Sequence, residues 1–456
     1  MPLRILLAVH HFPPTRIGGA ELIALRIARW LGARGHAVQV VCVETLHADA
    51  PDNLTWRDEE YQGVAVRRYA LSLAQRTALL HFENALLENN LHALTETFRP
   101  DVVHVISGYL MGTAPLNVAF AHHIPTVVTL TDFWFLCPTL QLLRGDGALC
   151  WGPEPVECMR CIADERRAFR LLDQNAPRIT RPFWHAAAAH PTLGAYFDVP
   201  DTLSILRERQ RVCIEALNRV DALAPLTHWV VEMHKRNGLS DTLPVHKLDF
   251  FDLADFATPT PQPRADDEIR FGYLGQIAPI KGVDVLLRAF QKLNQTYRGA
   301  KKFSLTVYGN LNATARYAQE LKRLAQAPNI FLRGAYAHRD TLKLLNELDA
   351  VIVPSVWHEN VPRVIFEAFA AKRPALGSRI GGITEVVTDE RNGLLFERGD
   401  VNDLARVMRR ALDEPTLLPR LAEQTQPPRA FQQDMEELVR LYHQIGAPRK
   451  VHSENV

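Results

Sequence analysis

Apolar residues recur along the chain in short runs that alternate with helical patterns, starting near the N-terminus. Residues 3–9 form an apolar run broken by one arginine, as expected of a strand buried on both faces. After a loop rich in proline and glycine, Ile23, Ile27 and Trp30 recur at helical spacing, and a second apolar run follows at 37–43. A strand, a glycine-rich turn, a helix and a strand within about forty residues form a βαβ unit, which predicts a parallel sheet.

The same alternation returns further along the chain, with one long interruption. Short strands are predicted at 101–106 and 126–131, followed by a cysteine-containing loop. A proline-rich stretch at 249–267 is typical of a linker. The remaining predicted strands are 222–224, 269–274, 304–308, 330–333, 350–353 and 375–378, and the predicted helices are 162–175, 203–219, 283–294, 314–326, 338–347 and 362–371. We therefore expect two α/β domains joined by a hinge, followed by an amphipathic helix near 429–445.

Composition excludes several classes of protein. The chain has 456 residues, of which 47% are hydrophobic and 23% charged, as in globular proteins. Its 52 basic and 51 acidic residues leave a net charge of +1, so nucleic acid is not an expected partner. No apolar run reaches the length of about 18 residues that spans a bilayer, and the N-terminus is typical of a strand rather than a signal peptide. Six cysteines in so long a chain do not make a disulfide scaffold, which favours the reducing cytoplasm.

Three strand-to-helix turns in the second half carry the candidate chemistry. The first, Gly275–Gly282, holds Lys281 beside a helix start, where an ammonium group and backbone N–H groups suit a phosphate. The alternative interpretation is a solvent-exposed lysine. The third turn, 377–383, contains small residues, which allow either the close approach of an anion or a tight turn of the backbone. Because such turns meet at one edge of a sheet, a ligand containing a diphosphate is the favoured hypothesis.

The second turn, 355–362, leads into a helix that contains Glu367. The N–H groups of Asn360 and Val361 would face the carboxyl edge of the sheet, where α/β sheets bind ligands. Glu367 is predicted to lie off the buried stripe of the helix, two turns from Glu359. Two carboxylates so placed would hydrogen-bond two sets of hydroxyls on one elongated ligand. The alternative interpretation is a surface glutamate and a capping glutamate.

Four cysteines lie close together in the first half: Cys137, Cys150, Cys158 and Cys161. Their spacing is C-x12-C-x7-C-x2-C, which can supply a tetrahedral zinc site in a loop too irregular to build its own core. An iron–sulfur cluster would use the same ligands, and the same spacing is compatible with unligated thiols or disulfides. Cys42 and Cys213 stand apart and are interpreted as small core residues.

Six runs of residues, spread over nearly the whole chain, carry a resemblance to a known family. In the second half the runs are GQIAPIKGVDVLLRAF, VPSVWHENVPRVIFEAFAAKRPALGSRIGGITEVV and NGLLFERGD, which resemble the donor-binding domain of glycosyltransferase family 4. The first half resembles the acceptor-side domain in HHFPPTRIGGAELIALRIARWLGARGHAVQVV, RPDVVHV and TLTDFWFLCP. The resemblance implies a GT-B fold, an α/β fold of two Rossmann-like domains whose parallel sheets face each other across a cleft. It implies an acceptor-side domain at 1–255 with a cysteine-containing insertion, a nucleotide-sugar-binding domain at 256–428 and, at 429–456, a helix crossing back to the first domain.

The resemblance also implies an activity. The family transfers a sugar from a nucleotide sugar with retention of anomeric configuration, generally without a metal. The implied acceptor is a glycan, a lipid-linked sugar or a small molecule, and no cofactor is required for catalysis, although the cysteines suit a structural zinc. The candidate catalytic residues are Glu359 and Asp132. The implied donor-binding residues are Gly18, Gly19, Gln276, Lys281, Glu359, Asn360, Val361 and Glu367, with Lys281 on the diphosphate, Glu367 on the ribose and Glu359 on the sugar.

Three positions depart from the pattern of the family. Gln276 stands where the family usually has arginine, Thr131 where it often has histidine, and Lys372 where glycine is usual. The first two favour an alternative function, a non-catalytic nucleotide-sugar-binding or assembly protein on a GT-B scaffold. A GT-B hydrolase or epimerase is a third hypothesis. Because Lys281 and both glutamates remain, an active transferase is the leading interpretation.

The segment after the cysteines combines basic and apolar residues. Its arginines are Arg160, Arg166, Arg167, Arg170, Arg178 and Arg181, and its large apolar residues include Phe169, Leu171, Leu172, Phe183 and Trp184. This combination suits a peripheral contact with anionic lipid at the inner face of a membrane. The alternative is that the apolar residues pack against the first domain.

Overall fold

The computed structural model describes residues 1–48, 50–74, 81–163, 167–196, 198–253, 267–311 and 315–446. Contacts divide the chain into two compact units. The first unit comprises Met1–Leu248 with Gln432–Val456, and the second comprises Asp249–Phe431. The sequence places its domain limits at 255/256 and 428/429, and the first of these limits lies outside the described residues.

The first unit is built around a seven-stranded sheet. Its strands are β1 (Arg4–Val9), β2 (Ala37–Ala48), β3 (Asn53–Tyr61), β4 (Val64–Leu73), β5 (Val102–Ile106), β6 (Thr126–Thr129) and β7 (Ala222–Leu223). Their order across the sheet is β3-β4-β2-β1-β5-β6-β7, and only the pair β3–β4 is antiparallel. β5 and β6 are buried along their whole length, as their apolar runs predict. The order reverses between β1 and β5, because β2, β4 and β3 lie on one side of β1 and β5, β6 and β7 lie on the other.

Helices cover this sheet and continue into the cysteine-containing insertion. They are α1 (Gly19–Gly32), α2 (Ala85–Phe98), α3 (Ala114–Ala121), α4 (Pro155–Ala163), α5 (Arg167–Asn175), α6 (Pro177–Ala189), α7 (Pro191–Tyr196), α8 (Val199–Asn218) and α9 (His228–Lys235). The helix predicted at 162–175 is therefore two helices, α4 and α5, between which residues 164–166 lie outside the described part of the chain.

The hairpin β3–β4 was not predicted from the sequence. A two-residue turn at Gln62 and Gly63 joins its strands, as in many hairpins. β3 is the edge strand of the sheet and reads NLTWRDEEY, with most of its residues exposed. Charged residues are typical of protected sheet edges, and they hide the apolar alternation on which the prediction of strands depends.

The second unit is built around a fully parallel six-stranded sheet. Its strands are β8 (Ile269–Leu274), β9 (Phe303–Tyr308), β10 (Ile330–Gly334), β11 (Ala350–Val353), β12 (Ala375–Ser378) and β13 (Gly393–Phe396), in the order β10-β9-β8-β11-β12-β13. Its helices are α10 (Val283–Thr296), α11 (Ala315–Leu324), α12 (Thr341–Asn346), α13 (Arg363–Ala370), α14 (Ile383–Val386), α15 (Val401–Asp413) and α16 (Leu417–Glu423). The five predicted strands of this unit are present. The order of the strands reverses between β8 and β11, the kind of position at which doubly wound sheets bind ligands.

The last helix, α17 (Phe431–Gly446), returns the chain to the first unit. Its Tyr442 hydroxyl lies 2.6 Å from Nδ1 of His104 on β5, and Nε2 of His104 lies 2.7 Å from the Thr129 hydroxyl. The three side chains are completely buried, and this burial lowers the pKa of His104 to about 3. Among the described residues, no helix combines the length and the apolar character needed to cross a bilayer.

Candidate active site

A charged cluster lies at the point where the strand order of the second unit reverses. Lys281 belongs to the loop after β8 and Glu359 to the loop after β11, and Nζ of Lys281 lies 2.6 Å from Oε1 of Glu359. The same oxygen accepts hydrogen bonds from the Ser355 hydroxyl (2.7 Å) and from Nε1 of Trp357 (2.8 Å). We call these four residues the Glu359 cluster. Its lysine is not the solvent-exposed side chain of the alternative interpretation, because it is 22% exposed and its partner carboxylate only 6%.

Backbone contacts hold the two loops of the Glu359 cluster together. The N–H of Val356 donates to the carbonyl oxygen of Ile280 at 2.9 Å. Gly282 adopts a left-handed conformation with φ of 67°, and a Cβ atom there would overlap with the carbonyl oxygen of Pro354. Only glycine therefore fits at this position without displacing the loop that carries Glu359. The ammonium group of Lys281 also lies 4.9 Å from the centre of the Trp357 ring, within cation–π range.

The third predicted turn supports the loop of Glu359 from the other side. The N–H of Gly382 donates to the carbonyl oxygen of Glu359 at 2.8 Å. A Cβ atom on Gly381 would lie 2.5 Å from the same oxygen, closer than real contacts allow. Nη1 of Arg398 donates to the carbonyl oxygen of Val356 at 2.8 Å. These contacts are those of a tight turn, one of the two interpretations of the sequence.

Glu367 is buried, contrary to the sequence prediction. It lies on α13 and is 4% exposed, because α13 packs against α12 as well as against β11 and β12. Burial raises the pKa of the Tyr336 phenol, and the negative charge of Glu367 raises it further. The two side chains are therefore close enough to interact electrostatically. Asn360 is 7% exposed and Val361 is half-buried in the loop before α13.

Gln276 contacts Tyr273 through its backbone. Its side chain is exposed, and its carbonyl oxygen accepts a hydrogen bond of 2.6 Å from the Tyr273 hydroxyl. Burial, followed by the charge of Glu359, raises the pKa of Tyr273, which keeps this hydroxyl protonated as a donor. The residues that sequence reasoning missed here are Tyr273, Tyr336, Ser355 and Trp357. Ser355 and Trp357 lie within the predicted turn, but no spacing rule marks them as partners of Glu359.

The candidate residues of the first unit lie at the carboxyl edge of its sheet. Gly18 precedes α1 and Gly19 begins it, in the loop that follows β1, and both are exposed. Asp132 follows β6, is half-buried, and accepts a hydrogen bond of 2.9 Å from the N–H of Trp134. Carboxyl edges of parallel strands are where α/β sheets bind ligands.

The four cysteines of the predicted zinc site line one small cavity of about 20 Å³. All four are free thiols, and the Cys150 thiol donates to the carbonyl oxygen of Gly152 at 3.0 Å. Burial raises the pKa of Cys158 to about 12 and raises those of Cys150 and Cys161 as well. Within the described part of the chain, no three His, Cys, Asp or Glu side chains are grouped so that they could hold a metal ion. The thiols therefore converge on one cavity without forming a metal-binding geometry.

A buried arginine organises the insertion around this cavity. The Arg160 guanidinium contacts Asp146 at 2.8 Å, Glu157 at 2.8 Å and Asp173 at 2.7 Å, and its side chain is 2% exposed. It is therefore not part of a basic surface.

The aromatic residues of the predicted membrane-binding segment are also largely internal. Trp184 is 7% exposed and packs against Phe169 and Phe183, with ring centres 5.8 and 5.4 Å away. Leu171 and Leu172 remain exposed at 40% and 56%. Much of the segment is thus buried, although it packs within the insertion rather than against the sheet of the first domain, which was the alternative interpretation.

Comparisons with known proteins match one family model to each half of the chain. Residues 268–414 match the family model "Glycosyl transferases group 1", and residues 18–189 match "Glycosyl transferase 4-like domain". Alpha-D-kanosaminyltransferase of Streptomyces kanamyceticus is 23% identical over 270 residues, covering 56% of this chain and 67% of that protein.

Two solved structures resemble this chain over 97% of its length. Sucrose-phosphate synthase from Thermosynechococcus elongatus has a TM-score of 0.63 at 16% identity and is covered over 99% of its length. HepE of Anabaena, solved with UDP and glucose, has a TM-score of 0.60 at 15% identity and is covered over 100%. At such low identity these structures establish the fold, which confirms the predicted GT-B class. The family matches, one in each half of the chain, establish the activity, and with it a sugar donor and an acceptor as partners. The chain is a glycosyltransferase with the GT-B fold.

Proposed function

We propose that the chain transfers a sugar from a nucleotide sugar to a hydroxyl of a glycan, lipid-linked or small-molecule acceptor, with retention of anomeric configuration. The observation that carries the proposal is the Glu359 cluster, because it joins a lysine and a buried carboxylate where the strand order of the second unit reverses. The name of the Streptomyces relative, a sugar transferase, and the UDP and glucose bound to HepE support a nucleotide sugar as the donor.

Lys281 is the proposed ligand of the donor diphosphate. An ammonium group has three N–H donors, and Glu359 takes one of them at 2.6 Å. Two donors are then available for diphosphate oxygens. A cation fixed before the reaction stabilises the negative charge that develops as the nucleoside diphosphate leaves, and it does so without reorganisation.

Glu359 is the proposed ligand of the transferred sugar. Its Oε1 is occupied by Lys281, Ser355 and Trp357, whereas Oε2 takes part in none of these three bonds. Oε2 and the amides of Asn360 and Val361 are the proposed acceptors and donors for sugar hydroxyls. Because Oε1 is fixed by three donors, the carboxylate plane is fixed as well, so Oε2 points in one direction.

The remaining donor contacts are proposed from the family resemblance. Glu367 holds the ribose, Gly18 and Gly19 approach the phosphate and sugar, Gln276 replaces the usual arginine near the phosphate, and Asp132 lies near the reacting centre. Retention requires the acceptor hydroxyl to attack on the face that the diphosphate leaves. We propose that the departing phosphate takes the hydroxyl proton, so that no cofactor enters the reaction. Zinc in the cysteine cavity would be structural.

Cytoplasmic location and peripheral membrane contact remain proposals. The exposed side chains of Leu171, Leu172 and Ile179 on α5 and α6 support a contact with lipid, and the exposed Arg170 and Arg178 would strengthen it on anionic vesicles. Co-sedimentation with anionic liposomes at low and high salt tests it. Absence of binding at low salt would contradict the contact and leave the transferase proposal untouched.

A screen of nucleotide sugars tests the proposed function directly. Purified protein is incubated with each nucleotide sugar, and both sugar transfer and release of the nucleoside diphosphate are measured. Anomeric configuration of the product is read by NMR, and an inverted product would contradict retention. Binding of a nucleotide sugar with neither transfer nor hydrolysis would favour the non-catalytic alternative.

A further inference from the structure

A cavity of about 590 Å³ lies on the first unit, between the hairpin β3–β4 and helix α2. Small-molecule sites in proteins have volumes of roughly 300–1,000 Å³, so a ligand of that size fits. The cavity shares no lining residue with the candidate active site or the cysteine cavity. We call it the hairpin groove and define it by six of its lining residues: Asp52, Leu54, Trp56, Arg67, Leu86 and Asn90.

The groove exists because the edge strand β3 extends beyond the helix that covers the sheet. Tyr69 on β4 is completely buried, and its hydroxyl reaches Asn90 on α2. Trp56 on β3 is paired with Tyr69 and therefore lies on the same face of the sheet, but it is 52% exposed. Leu86, on the opposite wall, is 38% exposed. Each wall of the groove thus presents a large apolar side chain to solvent.

Hydrogen bonds fix the orientation of an amide group in the wall formed by α2. Oδ1 of Asn90 accepts hydrogen bonds from Nη1 of Arg67 at 3.1 Å and from the Tyr69 hydroxyl at 2.8 Å. Because the guanidinium group can only donate, Oδ1 rather than Nδ2 must face it. The two N–H groups of Nδ2 have no partner among the residues that the structure describes. The groove therefore offers two donors from a side chain that is already held in place.

The charges of the groove favour a neutral ligand. Among its described lining residues, only Asp52 and Arg67 are ionisable. Nε and Nη2 of Arg67 donate to the two carboxylate oxygens of Asp58, each at 2.7 Å, so the charge of the arginine is already compensated. A phosphate would meet no unpaired cation and would be repelled by Asp52. Hydroxyl groups, in contrast, find donors on Asn90 and an acceptor on Asp52.

One end of the groove lies at the carboxyl edge of the sheet. Asn53, at the start of β3, pairs with Ser72 near the end of β4, and β4, β2 and β1 are parallel. The loop after β1, which carries Gly18 and Gly19, leaves the sheet at this same edge. Neighbouring strands lie about 4.8 Å apart, so β4 is about 10 Å from β1. This distance exceeds the width of one sugar ring, so a ligand that reaches from one to the other consists of several linked sugars.

We propose that the hairpin groove binds a neutral oligosaccharide, namely the part of a glycan acceptor that lies away from the reacting hydroxyl. The electron-rich face of the Trp56 ring receives the C–H face of a sugar, while Asn90 and Asp52 hydrogen-bond its hydroxyls. The identity of the ligand rests on the proposed function, since a transferase that extends a glycan meets such a chain in each reaction. The sequence did not single out Trp56, because β3 itself was not predicted.

Binding measured without donor tests the groove independently of sugar transfer. The probes are neutral hexasaccharides of glucose, mannose, galactose and xylose, and the readout is the indole N–H spectrum of ¹⁵N-tryptophan-labelled protein. At least one probe should shift the Trp56 signal, which is assigned by its loss in Trp56→Phe. Trp151 is the matched control, because it is 53% exposed but lies outside the groove, next to Cys150. Its signal should not move.

Two substitutions separate stacking from hydrogen bonding. Trp56→Ala should weaken binding of the probe about tenfold, whereas Trp151→Ala should not. Asn90→Asp keeps an oxygen for Arg67 and Tyr69 but removes both N–H donors, and it should weaken binding about fivefold. Urea midpoints are measured alongside. A purely structural role of Asn90 would lower the midpoint and leave the affinity of the folded protein unchanged.

The outcomes distinguish this site from the donor site. No shift of the Trp56 signal with any probe at the limit of its solubility would overturn the proposal and leave the Glu359 cluster untouched. Equal shifts of Trp56 and Trp151 would indicate non-specific contact and would also overturn it. Self-association that Trp56→Ala abolishes in sedimentation velocity would assign the groove to a second copy of the chain instead. Binding at the groove together with a failed nucleotide-sugar screen would support the groove and contradict the proposed transfer.

Acceptor length gives a kinetic test once an active donor is known. Trp56→Ala should raise the KM of a hexasaccharide acceptor about tenfold and that of the matching monosaccharide less than twofold, because only the longer acceptor reaches the groove. An equal rise in both KM values would overturn the proposal.

Discussion

The Glu359 cluster and the cysteine cavity are both groups of four side chains, but they are assembled differently. The sequence singled out two members of the first group, Lys281 and Glu359, and all four members of the second. In the Glu359 cluster the side chains bond directly to one another, and one carboxylate oxygen accepts three hydrogen bonds of 2.6–2.8 Å. In the cysteine cavity the thiols share a space but bond elsewhere, as Cys137 does to the Thr139 hydroxyl at 3.2 Å. Both groups were candidate sites in the sequence, but only in the Glu359 cluster do the side chains hydrogen-bond to one another.

Different structural elements position the Glu359 cluster and the cysteines. The loops of the Glu359 cluster follow parallel strands that are paired in register. Gly282 lets these two loops approach each other closely, and Gly381 lets the turn after β12 approach the loop of Glu359. The cysteine loop has one isolated bridge, Leu143 to Leu149, and depends on the charges around Arg160. Strand ends place side chains accurately, whereas an insertion needs a separate element to hold it, and here that element is an ion-pair centre.

The largest expected effect is the loss of this ion-pair centre. Arg160→Ala removes the buried cation that Glu157 and Asp173 share, leaving Glu157 with Arg181 and His185 and Asp173 with the Thr180 hydroxyl, and should lower the free energy of unfolding by about 3 kcal/mol. Urea unfolding measures it. Arg211→Ala, which removes two exposed ion pairs on α8, should leave the urea midpoint nearly unchanged, because solvent screens exposed pairs. Equal losses in the two variants would mean that Arg160 does not organise the insertion.

Metal analysis tests whether the cysteine cavity is completed by zinc. If the proposal is correct, purified protein carries about one zinc per chain, because binding would bring the four thiols that line the cavity into the tetrahedral arrangement that they lack in the described structure. Removing zinc that is present at about 100 times its Kd would then lower stability by about 2.7 kcal/mol. The pair Cys158→Ser and Cys161→Ser should abolish zinc content, and Cys213→Ala should leave it unchanged. Protein free of zinc and iron after isolation without chelator would contradict the metal site.

In the Glu359 cluster, loss of the Lys281 ammonium group should weaken nucleotide binding. Lys281→Ala is expected to weaken nucleoside diphosphate binding by about 1.5–3 kcal/mol, the range for a hydrogen bond to a charged group. Calorimetry with several nucleoside diphosphates measures it. Lys322→Ala, an exposed lysine in the last turn of α11, is the control. Unchanged affinity in Lys281→Ala would remove the diphosphate assignment.

The two glutamates of the site should separate by ligand. Glu367→Ala should weaken binding of the nucleoside diphosphate alone, by about 1.5 kcal/mol, because its proposed partner is the ribose. Glu359→Ala should leave that binding nearly unchanged and lower kcat, because its proposed partner is the sugar. The opposite pattern in calorimetry and turnover would show that their roles are exchanged.

The effect of acid is the smallest when it is counted per histidine and per pH unit, and it falls on the unit that contains the cysteine cavity. Burial lowers the pKa values of His81 and His234 to about 4 and that of His104 to about 3. Between the unfolded value near 6.5 and these values, the unfolded chain binds more protons, so stability falls as pH falls. Each histidine contributes a slope of up to about 1.4 kcal/mol per pH unit. Urea midpoints from pH 7 to 4.5 should show a shallower slope in His104→Gln but not in His47→Gln, whose side chain is exposed.

Most strands that the sequence predicted are rich in apolar residues and largely buried. β8, β11 and β12 have the predicted bounds because their apolar residues begin and end close to the limits of the buried strand. The charged edge strand β3 has no such run, whereas β13 was missed although all four of its residues are buried, as they are in β11 and β12. Lys372 shows the value of the family resemblance, since it stands where glycine is usual and adopts a left-handed φ of 56°.

For the candidate site, the sequence identified residues but not their partners. Lys281 and Glu359 were both singled out, yet their ion pair joins positions 78 apart and depends on the pairing of β8 with β11. The burial of Glu367 depends on how many elements surround α13, which helical periodicity does not report. Spacing along a chain predicts which elements carry the chemistry. The contacts between elements decide which side chains meet.

The return of α17 to the first unit has a consequence for how the protein is made. Tyr442 and His104 are hydrogen-bonded across 338 positions, with the whole second unit between them in the chain. During synthesis from the N-terminus, the second unit emerges complete while the first still lacks the helix that covers His104. The first unit to begin folding on the ribosome is therefore the last to finish, because its sheet stays uncovered at His104 until α17 has been synthesised.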